Sequence, residues 1–250
     1  MREGKLMECR IVDTTLRDGE QRGGNGLSYK DKVNMALKID KLNVYQIEAG
    51  TPAMGGDEKR SIIKIVESNL KSRISAWNRL SIEDIKHSID CGVDIIHVAV
   101  PSSELQISTK LKKDVPWVIS NLQRCIYFIR EHGFEVSVGF EDASRGDESF
   151  ILDLCEVCKN EGVSRIRYAD TVGILTPRKT YEAIKLIKGY CDIAIEFHGH
   201  NDFGMAVANS VAAACAGAEY VDCTLNGVGE RTGNCDYYQF IKAHNIAEVI

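Results

Sequence analysis

The stretch RIRYADTVGILTPRKTYEAIKLIKGYCDIAIEFHGHND, Arg165 to Asp202, decides the fold. It opens with one strand-like run, RIRYAD, and closes with another, IAIEFHG. Between them LTPRKTYEAI carries a helix start, with Thr176 able to cap and Pro177 suited to the first helical position. Strands joined by a helix run parallel, because the return crossing carries the chain back over the sheet. The same alternation extends in both directions. Upstream lie RIVDTT (10–15), VYQIEA (44–49), RISAW (73–77), DIIHVAV (94–100) and EVSVGF (135–140), and downstream YVDCTL (220–225). A helix-length segment follows each strand. SYKD (28–31) and SIED (81–84) fit the capping-box pattern, and Tyr29, Val33, Ala36 and Leu37 recur at helical spacing to predict a sheet-facing stripe. Eight such units in 250 residues predict a (β/α)8 TIM barrel, α/β in class, occupying 1–250 as one domain. An open doubly wound sheet would need GxGxxG after its first strand, and RDGEQRGGNG (17–26) lacks it.

The bulk properties narrow the function. A net charge of −5 without a basic cluster argues against nucleic-acid binding. The N-terminus has no long apolar run, so neither a signal peptide nor a membrane span is expected. Nine cysteines are scattered, and only Cys155 and Cys158 stand close, within a helical pattern. A zinc ribbon needs a second such pair, so the cysteines read as reduced thiols of a cytoplasmic protein.

In a barrel of this kind the chemistry sits where strands end. His198 and His200, two apart on a strand, point to one side and can donate to one metal ion. Asp18, past the first strand, is the candidate third ligand. One carboxylate and two imidazoles leave coordination positions open. Its neighbour Arg17 suits developing negative charge; strand neighbours point oppositely, which makes an Arg17–Asp18 pair less natural. Glu48, Glu141, Asp142, Arg145 and Thr171 also lie at strand ends, and each reads equally well as a rim ion pair or polar contact. Asn234 offers a further oxygen or simple turn chemistry, and Glu230 and Arg231 can pair with each other. His87, His97, His132 and His244 show no partner pattern and read as structural. Two histidines and a carboxylate are also the ligand set of non-haem iron oxygenases.

Taken together, DTTLRDGEQ (13–21), EDASR (141–145), ADTVG (169–173), HGHND (198–202) and NGVGERTGN (226–234) resemble the DRE-TIM metallolyase family. That family holds the isopropylmalate, citramalate and homocitrate synthases and the hydroxymethylglutaryl-CoA lyases. IEAGTPAMGGDE (47–58), SAWNRL (75–80) and RIRYADTVGILTP (165–177) look most like the homocitrate synthase branch of nitrogenase-cofactor assembly. Cys235 lacks the GGCP context of the lyases' reactive cysteine, which favours a synthase.

The resemblance implies that Asp18, His198 and His200 bind a divalent metal, Mg2+ or Mn2+ before Zn2+ or Fe2+, with Asn234 contributing. It implies Arg17 over the keto oxygen of a 2-oxo acid, Thr171 on its carboxylate and Glu141 in the metal-side network, with Glu48 and Arg145 as pocket residues. The implied reaction condenses acetyl-CoA with a 2-oxo dicarboxylic acid, 2-oxoglutarate giving homocitrate. Oxaloacetate in a Re-type citrate synthase, the acceptors of citramalate and isopropylmalate synthases, and a non-catalytic metal-binding barrel are the alternatives. Strand five reads VSVGFED without the arginine of lysine-pathway homocitrate synthases, so the far carboxylate would fall to Arg79 or Arg167. Condensing members carry a helical region after the barrel, with no counterpart in this sequence. Either a second polypeptide supplies it, or the chain is a trimmed piece, or the barrel has lost full activity; a second polypeptide is the expectation, and homodimers are common in the family.

Overall fold

The computed structural model describes residues 9–24 and 26–247, with the side chains of 246 and 247 left aside. Eight parallel strands close on themselves in sequence order, β1 pairing with both β2 and β8. The strands are β1 (Arg10–Asp13), β2 (Gln46–Glu48), β3 (Arg73–Arg79), β4 (Ile95–Pro101), β5 (Glu135–Glu141), β6 (Arg165–Asp170), β7 (Ala194–Gly199) and β8 (Tyr220–Cys223). The helices that follow them are α1 (Tyr29–Asp40), α2 (Gly56–Val66), α3 (Ile82–Cys91), α4 (Val115–Glu131), α5 (Glu148–Asn160), α6 (Pro177–Tyr190), α7 (Ala206–Ala216) and α8 (Tyr237–Ala247). This is the (β/α)8 TIM barrel. Among the described residues no helix is long and apolar enough to cross a membrane.

The helix starts are specified locally. Ser28, Ser81, Asp114, Asp147 and Thr176 each accept a hydrogen bond from the amide three residues on, satisfying a donor the helix cannot. The buried stripe of α1 is Lys32, Ala36 and Ile39, while Leu37 is exposed, so the predicted stripe was rotated. Lys32 accounts for the rotation: its ammonium sits 2.5 Å from Glu20 and 2.6 Å from Glu58, which lets a lysine be buried.

The strands divide their residues between two cores. Ile11, Ile47, Ile74, Ile96, Val136, Ile166, Ile195 and Val221 join one apolar layer under the helices. The alternate positions carry polar groups that meet inside the barrel. Arg165 on β6 bonds Gln46 on β2, and Arg167 bonds Glu48, 2.7 Å away. Strands two and six lie opposite each other in an eight-strand ring, so these bonds cross the lumen. The cysteines among the described residues are all free thiols, and all but Cys9 and Cys215 are buried.

Candidate metal centre

After Asp13 the chain leaves the strand at once. The amides of Arg17, Asp18 and Gly19 all converge on the carbonyl of Thr14, at 3.1, 2.9 and 3.1 Å. This turn brings Arg17 and Asp18 to the same side, and Arg17 Nη1 donates to Asp18 Oδ1 at 3.2 Å. Both residues lie in a turn, not on a strand, so the alternation that would separate their side chains does not apply. Across the mouth, His198 lies on β7, and His200, just beyond it, bridges to Asn234. Alternation then places both Nε2 atoms on one side, 3.2 Å apart. Asp18 Oδ2 is 3.3 Å from the first and 3.7 Å from the second. Among the described residues these form the one group of three His, Cys, Asp or Glu side chains whose donor atoms all lie within 4.8 Å of one another.

The donors fit a cation. Asp18 Oδ2 and Asn234 Oδ1 are buried without a hydrogen-bond partner, which is costly unless something positive meets them. Burial opposes ionisation of Asp18, yet Arg17 and the two imidazoles hold its carboxyl well below the usual carboxylate range. His198, despite burial, is raised to about 9 by the carboxylates of Asp18 and Asp222. His200 is lowered to about 3, by burial and then by the charge on His198. A divalent ion drawn to Asp18 would displace the proton from His198 Nε2, leaving both imidazoles neutral, the form that donates to metals. An oxygen and two nitrogens suit a borderline divalent ion with open positions.

The centre opens onto a cavity of about 260 Å3 lined by Arg17, Gln21, Trp77, His97, Lys110, Gly139, Glu141, Arg167, Thr171 and Glu230, among others. Arg17 stacks on Trp77, its guanidinium carbon 5.3 Å from the ring centre, and donates to Glu48 at 2.7 Å. Burial would raise the Glu48 carboxyl, but Arg167 and Arg17 hold it down at about 2. Thr171 Oγ1 accepts the Asp142 amide at 2.8 Å, and Lys110 lies 3.3 Å from Glu141. Arg231 spans three loops: it donates to both Asp202 oxygens (2.8 and 3.0 Å), to the Thr171 carbonyl at 2.8 Å and to Glu230 at 2.6 Å.

Asp18, His198, His200, Arg17, Glu141 and Thr171 all come together around this cavity. Asn234 lies beside His200, with its amide nitrogen donating to Val228 at 3.1 Å. Glu48 sits beneath, fully buried between Arg17 and Arg167. Two candidates lie elsewhere. Arg145 turns away from the cavity into a two-pronged pair with Asp142, at 2.8 and 2.7 Å. Arg79 forms a similar pair with Asp84 and borders the adjoining cavity. Arg167, the other suggested cation, borders the cavity, but its guanidinium is taken up by Glu48, Glu196 and Asp222.

Sequence reasoning missed His97 and Asp222. His97, read as structural, lines the cavity; it is hydrogen-bonded to Ser137 at 2.9 Å and lowered to about 3, by burial and then by Arg167. Asp222 lies 2.9 Å from His198 Nδ1. The available signal was period-two alternation, which puts Asp222 inside β8 and His97 inside β4. Of the remaining histidines, His87 meets Lys59, His132 bonds the Phe128 carbonyl and His244 stacks on Phe240.

A parallel barrel whose strand ends gather an acid and two imidazoles defines a class: a (β/α)8 protein with a candidate divalent-metal centre at its mouth. The chain belongs to the HMGL-like family, whose profile matches residues 8–249. It is 56% identical over 236 residues to the homocitrate synthase subunit alpha of Clostridium pasteurianum, covering 94% of this chain and 88% of that one. It is 45% identical over 233 residues to 2-isopropylmalate synthase 2 of Caldanaerobacter subterraneus subsp. tengcongensis, covering 93% of this chain and 61% of that one. The fold matches a hydroxymethylglutaryl-CoA lyase structure from Pseudomonas aeruginosa, with a TM-score of 0.83, 17% identity, and coverage of 98% and 87%. The chain therefore spans most of the clostridial subunit but under two thirds of the isopropylmalate synthase.

Proposed function

We propose that this barrel condenses acetyl-CoA with a 2-oxo acid, 2-oxoglutarate to homocitrate first among the acceptors, in a divalent-metal-dependent reaction. The observation that carries the reading is the Asp18–His198–His200 centre opening onto a cavity walled by Arg17 and Thr171. A divalent ion held by these three, with Asn234 beside them, would supply Lewis-acid polarisation of a keto oxygen.

The chain's own residues do the rest. Arg17, held by Glu48, Asp18 and Trp77, presents fixed positive charge where the keto oxygen becomes an alkoxide. Thr171 Oγ1 uses a lone pair on the Asp142 amide, leaving its hydrogen to donate to the substrate's carboxylate. Lys110 takes the far carboxylate in place of Arg79. The adjoining cavity of about 400 Å3 shares Trp77, Ala99, Lys110 and Glu141 with the first, and has apolar walls from Leu80, Pro101 and Leu111. Acetyl-CoA bound there would bring its methyl carbon to the acceptor. That carbon, deprotonated, bonds to the keto carbon, and water then splits the thioester to a carboxylate and free CoA thiol.

A related acceptor is the second reading, favoured by the identity to an isopropylmalate synthase. Acceptors differing by one methylene are separated by only about 1–3 kcal/mol. The clostridial relative is named as a subunit alpha, which supports a partner polypeptide that completes the enzyme.

The test is a thiol-release assay with acetyl-CoA and Mn2+ or Mg2+, against 2-oxoglutarate, oxaloacetate, pyruvate and 2-oxoisovalerate, with chelator and Asp18→Ala as controls. Chelator-sensitive release with one acceptor names the substrate. Metal and 2-oxo acid binding without release from any acceptor, in the presence of the partner, would make this a binding barrel.

A further inference from the structure

Arg167 sits 3% exposed at the centre of the lumen, with three carboxylates around it. Its Nη2 lies 2.7 Å from Glu48, and its Nε meets both Glu196 and Asp222, the latter at 3.0 Å. Each of these carboxylates has a second task. Asp222 Oδ2 lies 2.9 Å from His198 Nδ1, and Glu48 Oε1 lies 2.7 Å from Arg17 Nε. Glu196, shared with Arg165, stands two residues before His198 on the same strand. One guanidinium thus ties β6 to β2, β7 and β8, and a chain of charged contacts runs His198, Asp222, Arg167, Glu48, Arg17.

We infer that Asp222 and Arg167 are positioning residues for the metal centre: Asp222 holds the proton of His198 on Nδ1, and Arg167 holds Asp222. A neutral imidazole carries one ring proton, and the nitrogen that keeps it cannot donate to a metal. Asp222 accepts from Nδ1, which leaves the Nε2 lone pair facing Asp18 and His200. A carboxylate behind a metal-binding imidazole also makes it a stronger donor, and losing such a partner typically costs about 10–100-fold in affinity. Asp222 needs Arg167 in turn. It is 2% exposed, its Oδ1 has no hydrogen-bond partner, and Glu196 beside it is another anion. Without a fixed cation between them the two carboxylates would repel and Asp222 would turn from His198. Arg167 holds Glu48 with the same fork, so the aim of the His198 imidazole and of the Arg17 guanidinium share one anchor. The inference rests on the proposed metal centre, and it excludes Arg167 as the cation for substrate, because its donors already face protein carboxylates.

The test reads Mn2+ binding to the purified chain by EPR of the free ion, which needs no turnover. Asp222→Ala is expected to lose about tenfold or more in Mn2+ affinity, and Asp222→Asn, which can still accept from Nδ1, to recover most of it. Arg167→Lys keeps the charge but loses the fork, and is expected to weaken Mn2+ binding while melting within a few degrees of the parent. Wild-type Mn2+ affinity in Asp222→Ala or in Arg167→Lys overturns the inference. A reading independent of variants comes from the 15N signals of His198 in the Zn2+-loaded parent protein: a proton on Nδ1 is required, and a proton on Nε2 overturns it. Weakened Mn2+ binding in the variants, with no CoA released from any acceptor by the parent, would leave this inference standing and remove the condensation reading.

Discussion

Asp13 shows how much one buried side chain can hold back. It is fully buried, and its hydrogen bonds from Thr15, 2.9 Å from the amide and 3.1 Å from the hydroxyl, only partly offset the burial that pushes its carboxyl up to about 7. A group raised in the folded state stabilises fully below its unfolded pKa, and that stability is lost as pH rises through the folded value. Stability from Asp13 should therefore fall from about pH 4 to pH 7 by at most about 4 kcal/mol. Asp13→Asn removes this decline, so its urea midpoint relative to the parent should climb between pH 5 and pH 8; an unchanged difference would count against the assignment. At this scale the local signals were readable. His198 and His200 follow from alternation alone, and Ser28, Ser81 and Thr176 cap where their spacing says. The inward side of His97 was open to the same alternation, but its pairing was not, because Ser137, its partner, lies on the next strand. Gly139 belongs to the same neighbourhood: a Cβ there would come within 2.5 Å of the His97 ring, so glycine makes the room that the imidazole fills.

Among the elements, the loop between β8 and α8 shapes the centre most. It carries Asn226 and Arg231 in left-handed backbone conformations (φ 55° and 51°), which are strained for side-chain-bearing residues. Arg231 holds that shape by reaching Asp202 and the Thr171 carbonyl, tying the loops after β6, β7 and β8 together. Arg231→Ala should cost only about 1 kcal/mol in global stability, since the side chain is 39% exposed. It should speed hydrogen exchange at 226–234 and weaken Mn2+ binding several-fold, leaving exchange in the barrel strands as in the parent. Equal speeding throughout would refute a local latch. The Glu230–Arg231 pair was anticipated from the loop itself, whereas Asp202 lies on another loop and was not connected to it. The rotated face of α1 has the same origin, because Lys32 is drawn inward by Glu20 and Glu58.

Across the whole molecule, the lumen is held by charge as well as by shape. Arg165, Arg167, Glu48 and Glu196 are each 3% exposed or less and meet around the barrel axis. Such a network contributes little net energy against an apolar replacement, but breaking one member leaves an uncompensated buried charge. Glu196→Gln should therefore cost about 3–5 kcal/mol, visible as a lower urea midpoint with an unchanged slope. Unfolding at the parental midpoint would mean that water reaches the lumen and screens the pair. The network also bears on the proposed seat of the substrate's far carboxylate. Arg167 is spent on protein carboxylates and Arg79 on Asp84, which leaves Lys110 at the cavity wall.

The sequence by itself determined the barrel, its strand order, the helix caps, and the convergence of Asp18, His198 and His200. Each of these follows from short-range rules: alternation along a strand, spacing around a helix turn, and the placement of functional groups at strand ends. Tertiary structure alone decided which charges are free. Arg79 and Arg145 pair with acids a few positions away, but whether Arg167 faces substrate or protein depends on carboxylates that closure of the ring brings close, from as far as 119 positions away for Glu48. A charge inside a low-dielectric lumen pairs with whatever the far wall presents, and no local pattern in the chain carries that information.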